Sequence, residues 1–279
     1  MNPHFKALEA AYQLHFYFCF KTHYLKPLLA SQSAQSLMRN VLVDVCDRED
    51  VHLLESDIAD DRLRLLLSLK PTQTVAHAAK MLKGNLDHEF RLACIGDESF
   101  RKLWAKGYFA RSSGKVNLEA AQHYVESQAA HHGYRGEWTR PLSYRNPTFR
   151  SPAFPVPHSF CLLNYHVVLV TQNRIPVFDE VIAPGLFQYA MRIADQHGFA
   201  IERMGLMPDH LHLIIEAKSN VSVEECVRAL MENTHYWMEQ HYWGVLKETN
   251  AWDVWQPSYY AGTIGEYTTA QVKCFLALG

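Results

Sequence analysis

Two histidines stand one residue apart in the stretch Met207 to Glu216, MPDHLHLIIE. The run is apolar and has strand character, so His210 and His212 project from one face while Leu211 and Leu213 point to the other. Two imidazoles on one face can converge on a single cation or phosphate. They can equally sit in a core with no ligand at all, and the decapeptide alone does not separate the two readings.

The elements that must carry this pair come from the rest of the chain. At 279 residues, 48% of them hydrophobic, the sequence can build two cores of ordinary size. No apolar run approaches the roughly 20 residues that span a bilayer, and the opening MNPHFKALEAAYQ lacks the layout of a signal peptide, so a cytoplasmic protein with no membrane partner is expected. The six cysteines, at 19, 46, 94, 161, 226 and 274, form no C-x-x-C pair, which argues against a zinc ribbon or a disulfide scaffold. A net charge of −2 gives no general support for nucleic-acid binding. Any such function must rest on local features.

The sequence repeats itself. Leu103 to Gln128, LWAKGYFARSSGKVNLEAAQHYVESQ, aligns without gaps on Val254 to Gly279, VWQPSYYAGTIGEYTTAQVKCFLALG. Both run from Trp to an aromatic pair, then Ala, then Gly114 or Gly265, then a helical stretch. Ala59 to Leu69 falls on Met207 to Ala217, and Val75 to Asn85 on Val223 to Asn233. Each half therefore reads as strand, helix, strand, strand, helix, an aromatic strand-like segment and a last helix. In the second half Tyr165 to Thr171 is a strand, Gly185 to His197 a helix stopped by Gly198, and Ile201 to Leu206 the strand before the histidines. Val221 to Gln240 is a further helix, with Ser222 and Glu225 forming a capping box. The fold class is α+β, an antiparallel sheet backed by helices in each half. The expected division is 1–132, a linker at 133–158, and 159–279. That linker, GYRGEWTRPLSYRNPTFRSPAFPVPH, has five prolines and four arginines and reads as an extended, semi-rigid connector. Its Arg140 and Arg145, interleaved with Tyr134, Trp138, Tyr144 and Phe149, could follow a phosphate backbone and stack on bases, or could pack on the protein surface.

MPDHLHLIIE, preceded by YHVVLVTQNRIPVF and followed by WQPSYYAGTIG, resembles the single-tyrosine HUH transposases of the TnpA type, including the REP-associated tyrosine transposases. The likeness covers the second half strongly and the first more faintly. It implies two ferredoxin/RRM-like HUH domains arranged as a pseudo-dimer. In that family a His-hydrophobic-His pair and a Gln hold a divalent cation, and a Tyr four residues before the Gln attacks single-stranded DNA. On this chain the motif splits. His210 and His212 match the histidine pair, but the Tyr and Gln positions of the second half are Phe275 and Gly279. The first half has Arg62 and Arg64 at the histidine positions, yet keeps Tyr124 and Gln128 at the spacing of four. Each half lacks what the other retains, as a fused dimer with one composite site would.

The resemblance implies Mg²⁺ or Mn²⁺ held by His210, His212 and Gln128, with Tyr124 as nucleophile giving a 5′-phosphotyrosine and a free 3′-hydroxyl. Asp209 is either a partner that orients His210 or a turn residue after Pro208. Arg62 and Arg64 could hold a DNA phosphate or lie on a solvated edge strand; Lys83, Asn85 and Arg228 are further phosphate-contact candidates. The expected partner is single-stranded or hairpin DNA, bound by a monomer that could assemble further. Three functions compete: a metal-dependent DNA nickase and strand transferase, a non-cleaving domesticated DNA-binding protein, and a metal-dependent phosphodiesterase that would use the histidines but not Tyr124.

Overall fold

The computed structural model describes residues 4–93, 102–126 and 142–277. Each half carries the βαββαβ order of ferredoxin-like domains plus a final helix. In the first half these are β2 (His15–Lys21), α1 (Gln32–Arg48), β3 (His52–Ala59), β4 (Arg62–Ser68), α2 (Val75–Ala93), β5 (Phe109–Ser113) and α3 (Leu118–Glu126). The second half gives β8 (Asn164–Thr171), α4 (Ala183–His197), β9 (Phe199–Met207), β10 (His210–Ala217), α5 (Val223–Glu248), β11 (Trp255–Ile264) and α6 (Thr269–Ala277). The element order is the one the sequence predicts.

Local chemistry explains the boundaries. Gly198 ends α4 in the left-handed region at φ 79°, where only glycine is unstrained. Ser222 and Glu225 close the predicted capping box on α5, which then runs eight residues beyond its expected end at Gln240. One face of each sheet is closed by its own two long helices over a continuous apolar core that includes Phe16, Phe18, Phe20, Leu65, Leu213 and Trp255.

The opposite faces are closed by exchange. Strands β9, β10, β8 and β11 form the second sheet, and the helix laid across its free face is α3, from the first half, with Ala121 and Val125 against Ile214 and Ile264. Conversely α6 covers β3 and β4, with Val272 and Leu276 against Leu66. Short strands exchange as well: β1 (Glu9–Gln13) pairs parallel to β11, and β7 (Phe160–Leu162) parallel to β5. The crossing is reciprocal to the atom, since Leu118 N–H donates to Gly265 O at 2.8 Å and Thr269 N–H to Gly114 O at 2.8 Å. Side chains at Gly114 or Gly265 would drive a Cβ into Thr263 O or Ser112 O, at 1.9 and 2.2 Å, so the crossing needs glycine at both.

The described part of the connector is docked. Its β6 (Leu142–Arg145) extends the second sheet antiparallel to β9, and Glu216 accepts from Ser151 Oγ and Ala153 N–H at 2.8 and 2.7 Å. Tyr144, expected among the stacking aromatics, instead packs on Phe187 at 5.6 Å, because alternation along β6 turns it toward the core. Arg140, Tyr134 and Trp138 lie outside the described residues.

Candidate active site beneath the exchanged helix

Antiparallel register brings residues of three strands to one face of the second sheet. His210 lies opposite Met207, His212 opposite Gly205 and Val168, and Ile214 opposite Arg203 and His166. The face on which His210 and His212 stand is therefore the one α3 covers. Both imidazoles are buried, 3% and 4% exposed.

Each histidine has its Nδ1 fixed. His210 Nδ1 meets Asp209 Oδ1 at 2.6 Å, and Asp209 Oδ2 accepts from Arg174 Nη1 at 3.1 Å. Asp209 is in the two-residue turn between β9 and β10, and from there its carboxylate reaches His210. A carboxylate at Nδ1 makes that nitrogen the donor and puts the ring's lone pair on Nε2. His212 Nδ1 lies 3.0 Å from His166 Nε2, with the rings stacked at 5.2 Å and 13°. Burial pushes the pKa of His166 down to about 4, so this ring is neutral at neutral pH and can accept at Nε2 from His212. With Nδ1 engaged in this way on both rings, the lone pair of each falls on Nε2, a donor type that could hold a divalent cation.

Tyr124 completes the cluster from above. Its ring stands edge-on to His212 at 5.6 Å and 79° and to His166 at 5.9 Å and 81°. The helix carrying it is held by apolar contacts, by Gln122 Nε2 donating to Glu202 Oε1 at 2.5 Å, and by an ion pair between Glu126 and Arg203. Close approach depends on Gly205, where a Cβ would come within 2.7 Å of Val125 O. Gln128 lies outside the described residues. Arg145 projects from β6 on this same face, opposite Arg203, and is exposed.

The other expected contacts lie elsewhere. Arg62 makes a two-pronged bond to Asp61 at 2.7 and 2.9 Å, and Arg64 pairs with Asp57 while lying 5.1 Å over the ring of Phe275. Lys83, expected at a phosphate, donates instead to Ala105 O at 2.9 Å and to Gly107 O, since its half-buried ammonium finds backbone carbonyls there. Asn85 accepts from Arg48 at 2.7 Å. Arg228 donates to Phe5 O and to Glu224 at 2.9 Å, anchoring the N-terminal segment. None of these five side chains joins the cluster around His212. His166 and Arg174, by contrast, belong to it and were not singled out from sequence. The signal for His166 is that it belongs to the strand YHVVLV beside the histidine strand; only the register puts it against His212.

Among the described residues one further group of potential ligands exists, His4, His235 and Asp253. There His4 stacks on His235 at 4.4 Å and 22°, and His235 Nδ1 accepts from Val254 N–H at 3.4 Å. Parallel rings do not aim their lone pairs at one point, and a ring accepting at Nδ1 carries its proton on Nε2, so this group suits a hydrogen-bonded latch for the N-terminal segment.

No described helix is long and apolar enough to cross a membrane. The described cysteines, Cys19, Cys46, Cys161, Cys226 and Cys274, are free thiols.

Comparison with known proteins agrees with this architecture. The chain is 30% identical over 114 residues to the ISDra2 transposase TnpA of Deinococcus radiodurans, covering 41% of this chain and 81% of that protein. It is 29% identical over 97 residues to the transposase for insertion sequence element IS200 of Salmonella typhimurium, covering 32% of this chain and 60% of that one. A solved REP-associated tyrosine transposase bound to a REP hairpin is similar at 13% identity and a TM-score of 0.30, over 43% of this chain and 68% of that one. The model of the family described as "Transposase IS200 like" matches twice, at residues 10–128 and 159–277, and the chain belongs to that family, with the family's domain present in tandem.

Proposed function

We propose that this chain cleaves and rejoins single-stranded or hairpin DNA at one composite site, with Tyr124 of the first domain acting over His210 and His212 of the second. Membership of a transposase family supports DNA cleavage and strand transfer in general. The observation that carries the finer reading is the edge-on approach of Tyr124 to His212, 5.6 Å between ring centroids, made by a helix that crosses from the other half. A phosphodiesterase using the histidines alone has no need of that crossing.

The proposed domains are 1–132 and 159–279, joined through 133–158 as an intramolecular pseudo-dimer. His210, His212 and Gln128 would hold a Mg²⁺ or Mn²⁺ ion; imidazole donors favour the softer Mn²⁺. Such an ion, when bound, supplies charge withdrawal at the scissile phosphate. Asp209 and His166 fix the imidazoles in the ligating tautomer, and α3 positions the Tyr124 hydroxyl for in-line approach. A bond forms between Tyr124 Oη and phosphorus as the bond from phosphorus to the 3′-oxygen breaks. The phenol gives up its proton and the departing 3′-oxygen takes one, leaving a 5′-phosphotyrosine and a 3′-hydroxyl. The new linkage keeps a phosphodiester's energy, so rejoining needs no ATP.

The test is mass spectrometry of the protein after incubation with single-stranded hairpins and Mn²⁺. A nucleotide adduct on the peptide containing Tyr124 is expected. Bound DNA without any covalent adduct would instead fit a binding protein.

A further inference from the structure

The first sheet keeps a concavity where the second has its histidines. The sequence repeat and matching strand registers carry His166 onto Tyr17, His212 onto Arg64, Tyr260 onto Phe109 and Tyr124 onto Phe275. His166, His212 and Tyr124 thus give way to Tyr17, Arg64 and Phe275, and beside the apolar contacts of the last helix the sheet is left open. A groove of about 520 Å³ remains, lined by Tyr17, Phe109, Arg111, Tyr267, Val272 and Phe275.

Its walls are unusual for a surface with no ligand. Tyr267 and Phe275 are 46% and 54% exposed. Arg111 lies 4.9 Å over the ring of Tyr267 and is steadied by Glu266 at 2.8 Å, while Arg64, steadied by Asp57, lies over Phe275. Phe109 is extended outward by a parallel stack with Phe160 at 5.2 Å and 9°. Two exposed lysines, Lys115 and Lys273, flank His15 on the same face of β2 as Tyr17; after burial, they are the next causes that hold the His15 pKa down. Flat π and guanidinium surfaces beside a cationic rim match a planar ring joined to an anionic backbone. An aliphatic helix ridge would find neither feature useful.

We propose that this groove is a non-cleaving subsite for an unpaired nucleotide of the DNA strand engaged at the Tyr124 site, its base stacked among Phe109, Tyr267 and Phe275 and its flanking phosphates met by Lys115 and Lys273. The inference rests on the reading of the chain as acting on single-stranded DNA. The groove on the first sheet then retains the strand that is cut at the site on the second sheet.

The experiment uses the full chain and a short single-stranded oligonucleotide carrying 2-aminopurine at successive positions, with affinity, fluorescence and the Tyr124 adduct read in parallel. Wild-type protein should quench the probe at one position. The double variant Tyr267→Leu, Phe275→Leu should lose that quenching and bind at least about ten-fold more weakly, as loss of base stacking requires. It should still form the adduct at saturating DNA. Phe275→Trp should restore stacking, and circular dichroism melting checks that the exposed substitutions leave the fold intact. Unchanged affinity and quenching in the double variant, with adduct formed, would overturn the subsite alone. Failure of wild-type protein to bind or cleave the strand would overturn the subsite and the proposed function together. Free thymidine monophosphate competing as well as the strand would overturn the strand assignment. A changed oligomeric state by light scattering with unaltered DNA affinity would assign the groove to a second copy and overturn the proposal.

Discussion

The ring of Tyr124, on a helix of the first half, stands edge-on to the imidazole of His212, on a strand of the second, 5.6 Å away at 79°. The counterpart pair on the other sheet is Phe275 over Arg64 at 5.1 Å. One exchanged helix therefore meets histidines and the other meets arginines, and only the first encounter offers a nucleophile and ligands together.

Replacing that hydroxyl should remove the chemistry and nothing else. Tyr124→Phe should abolish the covalent DNA adduct in a denaturing gel shift while leaving hairpin affinity within about two-fold, since it removes one hydroxyl and keeps the ring. Tyr259→Phe and Tyr267→Phe should retain the adduct. An adduct that persists in Tyr124→Phe would move the nucleophile, with Tyr267 the first position to examine.

Metal affinity should depend on groups that never touch the ion. Asp209→Ala and His166→Ala each remove the partner of a ligating imidazole, and such partners are worth about 10–100-fold in affinity. Calorimetric titration with Mn²⁺ should register that loss, whereas Lys83→Ala should leave affinity unaltered. Full cleavage in excess EDTA would contradict metal dependence altogether.

The seat of α3 offers a probe away from the chemistry. In Gly205→Ala the new Cβ would lie 2.7 Å from Val125 O, a backbone atom that cannot turn aside, so the helix must lift. Stability should fall by about 1–3 kcal/mol in thermal melts. Adduct formation should fall on the order of a hundred-fold, the cost of an ångström of misplacement. Wild-type rates in this variant would show that α3 does not set the position of the nucleophile.

Much of this architecture was legible in the residues. Periodicity gave the order of strands and helices in both halves, Ser222 and Glu225 announced the start of α5, and alternation put His210 and His212 on one face. What stayed hidden depends on long-range register. His166 is one of sixteen histidines, and nothing local says that β8 lies beside β10 with Ile214 opposite it. The strand β1, EAAYQ, has no β-branched residue and no apolar alternation to mark it, since it gains its place by pairing with β11. Lys83 and Arg228 look like surface cations because sequence does not reveal the carbonyls of Ala105 and Phe5 beside them.

DNA form and salt give a further check. Exposed aromatics and scattered cations suit unpaired bases, so a hairpin with single-stranded flanks should outcompete plain duplex, and affinity should fall as salt rises. Equal affinity for the two in a competition assay would contradict a single-strand preference.

The central claim is that the site is completed within one polypeptide. Its most direct measurement is cleavage by a mixture of Tyr124→Phe and His210→Ala proteins, held at low concentration with monomers verified by light scattering, because exchange of α3 between chains would otherwise rebuild a wild-type site. The account predicts no adduct above that of either variant alone. Strong rescue by verified monomers would contradict it, and would place the working Tyr124 over the histidines of a second chain.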